Sequence, residues 1–250
     1  MTIHQPPTQS RTLGPQFAAL ADDTEESILG SSLHQGAITT LHDGLDACGH
    51  GRGFPWFVGN QIRMVILRAG ARAASLSPDI LIHPTLGTGS RDSIIVAADG
   101  PPALVIEIAS PSTAVGRDLA EDSPRAKPAA YAALGIPEYL VFDPVGDFVK
   151  ARLWARKLGP HGYIPWEPEA DGRWHSALGI AFAPQDAFLR VYDQDGQLVP
   201  TGPELRHQIA EQQRRITDRD KRLADRDRNI ADRDQRIAAL EAELRRLRGE

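Results

Sequence analysis

Ile209, Ile216, Leu223, Ile230, Ile237 and Leu244 recur at a strict interval of seven near the C-terminal end of this 250-residue chain. A sustained seven-residue apolar period marks a coiled coil, because it keeps one stripe of a slightly underwound helix turned toward a partner. The near-repeats TDRDKRL, ADRDRNI and ADRDQRI lie within it. Residues 203–250 therefore read as a coiled-coil helix separate from the body. With the six residues at heptad position a, position d holds Gln212, Arg219, Arg226, Arg233, Leu240 and Leu247. The three consecutive arginines weaken the seam. Pairs four residues apart, such as Asp218–Arg222 and Asp232–Arg236, add only about 0.2–0.5 kcal/mol each. Two readings follow: a solvated helix laced with charge, or a modest homodimer through the Ile209–Leu244 heptads. The homodimer is preferred, since an exposed helix gains little stability without packing.

The tail after Pro203 carries 13 basic and 11 acidic residues, which leaves 15 and 22 in the body. An acidic body argues against indiscriminate electrostatic attraction to nucleic acid, where phosphate neutralisation dominates. Residues 52–127 come to a charge of +1, so a local basic cleft would lie there. The single cysteine, Cys48, rules out an intrachain disulfide, and a body of this length can bury a core without one. The start, MTIHQPPTQSRTLGPQF, lacks the basic-then-apolar layout of a signal peptide, and no apolar run approaches a bilayer span. A cytoplasmic protein without a membrane anchor is the expectation.

Residues 1–23 read as a flexible leader and 24–202 as the folded domain. From Thr24, a candidate cap, the pattern is helical, with Leu33, Ile38, Leu41 and Leu45 on one face. Cys48-Gly-His-Gly-Arg-Gly is expected to stop that helix. Strand-like runs follow at Trp56–Leu67, Pro78–His83, Ala103–Ala109 and Glu138–Asp143, with a long loop over Pro84–Pro102. A helix over Pro128–Leu134 is closed by Gly135 and Pro137. Val149–Arg156 and Tyr163–Trp174 suggest further antiparallel strands. This alternation predicts a layered α/β or α+β domain.

Familiar catalytic signatures are missing. Gly87-Thr-Gly-Ser-Arg-Asp lacks the third glycine and following helix of a dinucleotide loop, and neither a phosphate loop nor a Gly-x-Ser-x-Gly elbow occurs. Cys48 and His50 have no second pair to complete a zinc site. His34 shares a helical face with Ile38, Leu41 and Leu45; it reads as a core-edge histidine that could border a cleft.

Two carboxylates are harder to dismiss. Asp79 interrupts the start of the apolar run Ser77-Pro-Asp-Ile-Leu-Ile-His, and Glu107 sits inside Leu104-Val-Ile-Glu-Ile-Ala-Ser. Near-continuous apolar runs mark strands buried on both faces. A carboxylate within one is costly unless paired or bound to a cation. One reading pairs Glu107 with a nearby arginine. The other lets both carboxylates converge from paired strands on Mg²⁺, possible also for Mn²⁺, a hard ion that keeps its waters and takes one or two protein carboxylates.

Ser77-Pro-Asp79-Ile-Leu-Ile, Pro-Pro-Ala-Leu-Val-Ile-Glu107-Ile-Ala-Ser-Pro-Ser-Thr and Lys127-x-x-x-Tyr131-Ala-x-Leu-Gly135-Ile-Pro-Glu138-Tyr139-Leu-Val-Phe-Asp143-Pro, in that order, resemble the bacterial Uma-type restriction endonucleases of the PD-(D/E)XK nuclease-like superfamily. The resemblance spans roughly Glu25 to Tyr192, and a C-terminal coiled coil is also similar to that of some members. It implies a restriction-endonuclease-like mixed β-sheet flanked by helices. It further implies Asp79 and Glu107 as metal ligands, Lys127 as the catalytic cation, and Mg²⁺-dependent hydrolysis of DNA. The lysine of the superfamily pattern, two residues after the glutamate, is Ala109 here, and Lys127 matches the alternative position on the next helix. Pro128 pushes Lys127 toward extended backbone and is expected to be the first helical residue. Asp118 corresponds to a further family acid, or serves a turn, and Arg117 and Arg125 are candidate backbone contacts. The competing expectation is a catalytically inactive nuclease-fold interaction module that dimerises through its tail.

Overall fold

The computed structural model describes residues 32–50, 56–68, 71–109, 126–149 and 151–249. The chain divides between Val199 and Pro200 into two compact units.

In the first unit, α1 (Ser32–His50) buries Ala37, Ile38, Leu41 and Leu45, three to four residues apart, as an amphipathic helix must. It ends at His50, within the Cys48-Gly-His-Gly-Arg-Gly segment expected to stop it, and Thr24 is outside the described residues. Gly49 is required: a Cβ there would lie 2.5 Å from Nε1 of Trp56, whose indole N–H donates to the Leu45 carbonyl at 3.0 Å.

The run from Trp56 is two strands, not one. β1 (Phe57–Asn60) and β2 (Arg63–Arg68) are separated by Gln61, whose φ of 52° turns the chain out of one sheet and into another. β2 pairs with β3 (Ala71–Leu76) and, in parallel, with β5 (Ser93–Ile95), which lies inside the segment read as a loop. A single turn of helix, α2 (Val96–Asp99), follows.

The central sheet has six strands in the order β1-β4-β6-β7-β8-β9. Its members are β4 (Ile80–His83), β6 (Leu104–Ile108), β7 (Glu138–Phe142), β8 (Leu153–Gly159) and β9 (Gly162–Pro165) beside β1. β6 and β7 are parallel, whereas the other neighbours are antiparallel. All five residues of β6 and of β7 are buried, which explains their unbroken apolar runs. Alternation divides them between two cores. Ile80, Ile82, Leu104, Ile106, Ile108 and Phe142 face α1 and a small sheet of β10 (Trp174–His175), β11 (Ala181–Gln185) and β12 (Phe188–Tyr192). Leu81, Val105, Tyr139 and Val141 face the opposite core, shared with β2, β3 and α3 (Lys127–Leu134). The fold is thus mixed α+β, with a mixed sheet between helices.

Helix α3 ends as its sequence predicts. Gly135 adopts the left-handed conformation (φ 79°, ψ 26°), its N–H donates to the Ala132 carbonyl at 3.0 Å, and Ile136 N–H donates to the Tyr131 carbonyl at 3.1 Å. The second unit is α4 (Gly202–Arg248), a single 47-residue helix opened by a capping box between Thr201 and Glu204. No described helix is long and apolar enough to cross a membrane.

Candidate active site

β4 and β6 run antiparallel with Ile80 opposite Ile106 and Leu81 opposite Val105. The same register, carried one residue further, sets Asp79 opposite Glu107. Both acids stand where β4 begins and β6 ends. Asp79 Oδ2 accepts the backbone N–H of Ile108 at 2.7 Å, so its carboxyl is tied to the residue next to Glu107. Oδ1 lies 3.5 Å from His34 Nε2 on α1. The histidine on the apolar face of α1 therefore borders this site.

Alternation turns Glu107 with Val105 and Ala109 into the α3 core. Its side chain is 2 % exposed. Water cannot solvate a carboxylate there, so the protein must supply the compensating charge and donors. Lys127 Nζ lies 3.1 Å from Oε2, and the Tyr131 hydroxyl donates to Oε1 at 2.6 Å. Residues four apart share a helix face, so Lys127 and Tyr131 approach one carboxylate together. The spacing Lys-x-x-x-Tyr was the available signal for Tyr131, which sequence reasoning did not assign to the site.

Among the described residues, the cation beside Glu107 is a lysine. Lys127 is the first residue of α3, and Pro128 follows within the first turn. The extended conformation expected of Lys127 is taken instead by Ala126 (φ −76°, ψ 148°), and the helix start aims the lysine stem inward. Lys127 is 8 % exposed, far from the solvated surface residue it could have been. Ala109 lies on the same core face as Glu107 and brings no cation. Arg117, Asp118 and Arg125 lie outside the described residues.

The donors here are two carboxylates at one strand end, with a carboxylate offering about four lone-pair positions. That oxygen-only set fits a hard divalent ion that keeps most of its waters. Among the described residues no group of three or more His, Cys, Asp or Glu forms a ligand cluster.

At the same end of the sheet, Asp143 follows β7. Its carboxylate accepts four backbone N–H groups, from Val145 (3.0 Å), Gly146 (2.8 Å), Phe148 (2.6 Å) and Val149 (2.9 Å). Burial pushes its pKa up, but the four donors together outweigh this and hold it below the usual aspartate value. Asp143 is a loop anchor. Glu138, at the other end of β7, accepts from Ser176 Oγ and from Ala177 N–H (2.8 Å); burial raises its pKa against those donors and Lys157.

Comparison with known proteins agrees with the expectation from the motifs. Residues 23–168 match the Uma2 family, described as "Putative restriction endonuclease". Among solved structures, the chain is similar to one described as a "putative nuclease belonging to DUF820" from Anabaena variabilis ATCC 29413, at 13% sequence identity and a TM-score of 0.39, over 57% of this chain and 72% of that one. None of the curated proteins searched matches. The family match covers more than half of the sequence, and the chain belongs to the Uma2 family.

Proposed function

We propose that the chain is a metal-dependent endonuclease that hydrolyses DNA phosphodiester bonds. The observation that carries this reading is the buried Glu107–Lys127 pair with Asp79 tied to the adjacent Ile108. DNA as the substrate follows from the description of the family. Asp79 and Glu107 would hold one Mg²⁺ or Mn²⁺. Such an ion supplies Lewis-acid polarisation of a phosphoryl oxygen and activation of water. His34 and the Ile108 N–H fix the Asp79 carboxyl, while Tyr131 fixes that of Glu107. Lys127 is placed to orient the attacking water and to offset charge developing on the phosphoryl oxygens. Asp79, Glu107 and Lys127 are the catalytic set. A second copy of the chain, joined through the tail, and a cytoplasmic setting belong to the same proposal.

One observation favours the rival reading of an inactive nuclease-fold module. Each Glu107 oxygen already has a partner, so the acid is balanced without a metal. Calorimetric titration with Mn²⁺ and Mg²⁺ separates the two. Binding to the wild type that is lost in Asp79→Ala supports the enzyme; no binding to a folded wild type rejects it.

A further inference from the structure

Every residue of α4 after Gly202 is exposed, with Ile209 at 56%, Ile237 at 53% and Leu244 at 52%. An apolar stripe along a 47-residue helix needs a partner, and the flanking charges identify it. With Ile209 at a, positions g include Arg215, Arg222, Arg236 and Glu243, and positions e include Asp220, Asp227, Glu241 and Arg248. In a parallel coiled coil, each g residue meets the e residue five positions later on the other helix. That pairing matches Arg215 with Asp220, Arg222 with Asp227, Arg236 with Glu241 and Glu243 with Arg248. An antiparallel pair sets g against g and e against e, which opposes arginine to arginine and aspartate to aspartate.

We infer that α4 is a parallel, in-register, two-stranded coiled coil with a second copy of the same chain. In the one heptad that has isoleucine at a and leucine at d, Ile237 with Leu240, that combination favours two strands over three or four. The arginines at d, which weaken the seam, lie next to Asp220, Asp227 and Asp234 at e, and in a parallel dimer each faces the partner helix's e-position aspartate. Register is set by Leu240 and Leu247: a slip of one heptad would seat Leu240 against an arginine at d. Because the body precedes the helix, both bodies join the coil at the same end. The inference stands independently of the cleavage chemistry.

Cross-linking of the full chain tests it. Cys48, the only cysteine, is buried and out of competition. In Gln212→Cys, a parallel in-register pair brings the two thiols within disulfide range, whereas an antiparallel pair centred on the stripe leaves them about 40 Å apart. The expected result in a glutathione redox buffer is a 212–212 disulfide dimer, with none in Arg214→Cys, whose position f faces outward. The triple variant Asp220→Arg, Asp227→Arg, Asp234→Arg should weaken self-association at least about tenfold, because it destroys g–e pairing yet leaves antiparallel contacts like-charged as before. A monomer at micromolar concentration, a trimer, or a dimer without the 212–212 link overturns the inference.

Discussion

Lys127 Nζ stands 3.1 Å from Glu107 Oε2, and this pair is buried at the end of a central strand. Removing one member of such a pair strands the other in a medium that solvates it poorly. Lys127→Met keeps the apolar stem and should cost about 3 kcal/mol or more in denaturant unfolding without metal. A divalent ion supplies the missing positive charge, so Mg²⁺ should raise the melting temperature of the variant more than that of the wild type. An equal shift in both proteins would remove the metal from Glu107.

Tyr131→Phe deletes the hydroxyl that donates to Glu107 Oε1 at 2.6 Å. Bonds to ionised groups contribute about 1.5–3 kcal/mol, and a comparable loss is expected in urea unfolding. An unchanged midpoint would show that the Tyr131 hydroxyl does not help hold the acid.

Asp143 supplies an acid-sensitive contribution with a defined sign. Its folded-state pKa lies below the ordinary 3.8, so its stabilisation is fully present above pH 3.8 and is lost as pH falls through the folded value. Asp143→Ala leaves four backbone donors without their acceptor and should cost about 3 kcal/mol at neutral pH. The variant should also lose that part of the acid transition, as read by circular dichroism from pH 5 downward (about one unit above the ordinary aspartate value).

Glu138 has the opposite sign. Burial raises its pKa above 4.5, so the fold holds its proton more tightly than the unfolded chain. Its contribution is greatest below pH 4.5 and declines as pH rises through the folded value. Glu138→Gln retains the shape, with its Oε1 able to accept from Ala177 N–H and its Nε2 able to donate to Ser176 Oγ. It should flatten this decline in melting temperature; a variant with the wild-type slope would place the titration elsewhere.

The strands that carry the site were readable because they are buried on both faces. The unbroken apolar runs around Glu107 and after Asp79 give strands β6 and β4, and their pairing sets the acids opposite each other. Periodicity also marked α1, α3 and the tail. It did not separate β1 from β2, because the turn is made by Gln61, a residue without a turn signature. The Ala-rich β3, the three-residue β5, and β11 and β12 carry weak alternation and form only against their neighbours. Lys127 was read as extended from the proline rule alone. Its partner Glu107 lies 20 residues earlier in sequence, across a tertiary contact that local rules do not contain.

Cleavage by the full-length protein tests the central claim most directly, with supercoiled plasmid, genomic DNA, single-stranded DNA and RNA offered in Mg²⁺, in Mn²⁺ and in excess chelator. The account predicts metal-dependent nicking or linearisation of DNA, absent with chelator and reduced about a hundredfold or more in Asp79→Ala and in folded Lys127→Met. DNA left intact by folded, metal-loaded wild type, or cut equally well in chelator or by Asp79→Ala, would contradict it.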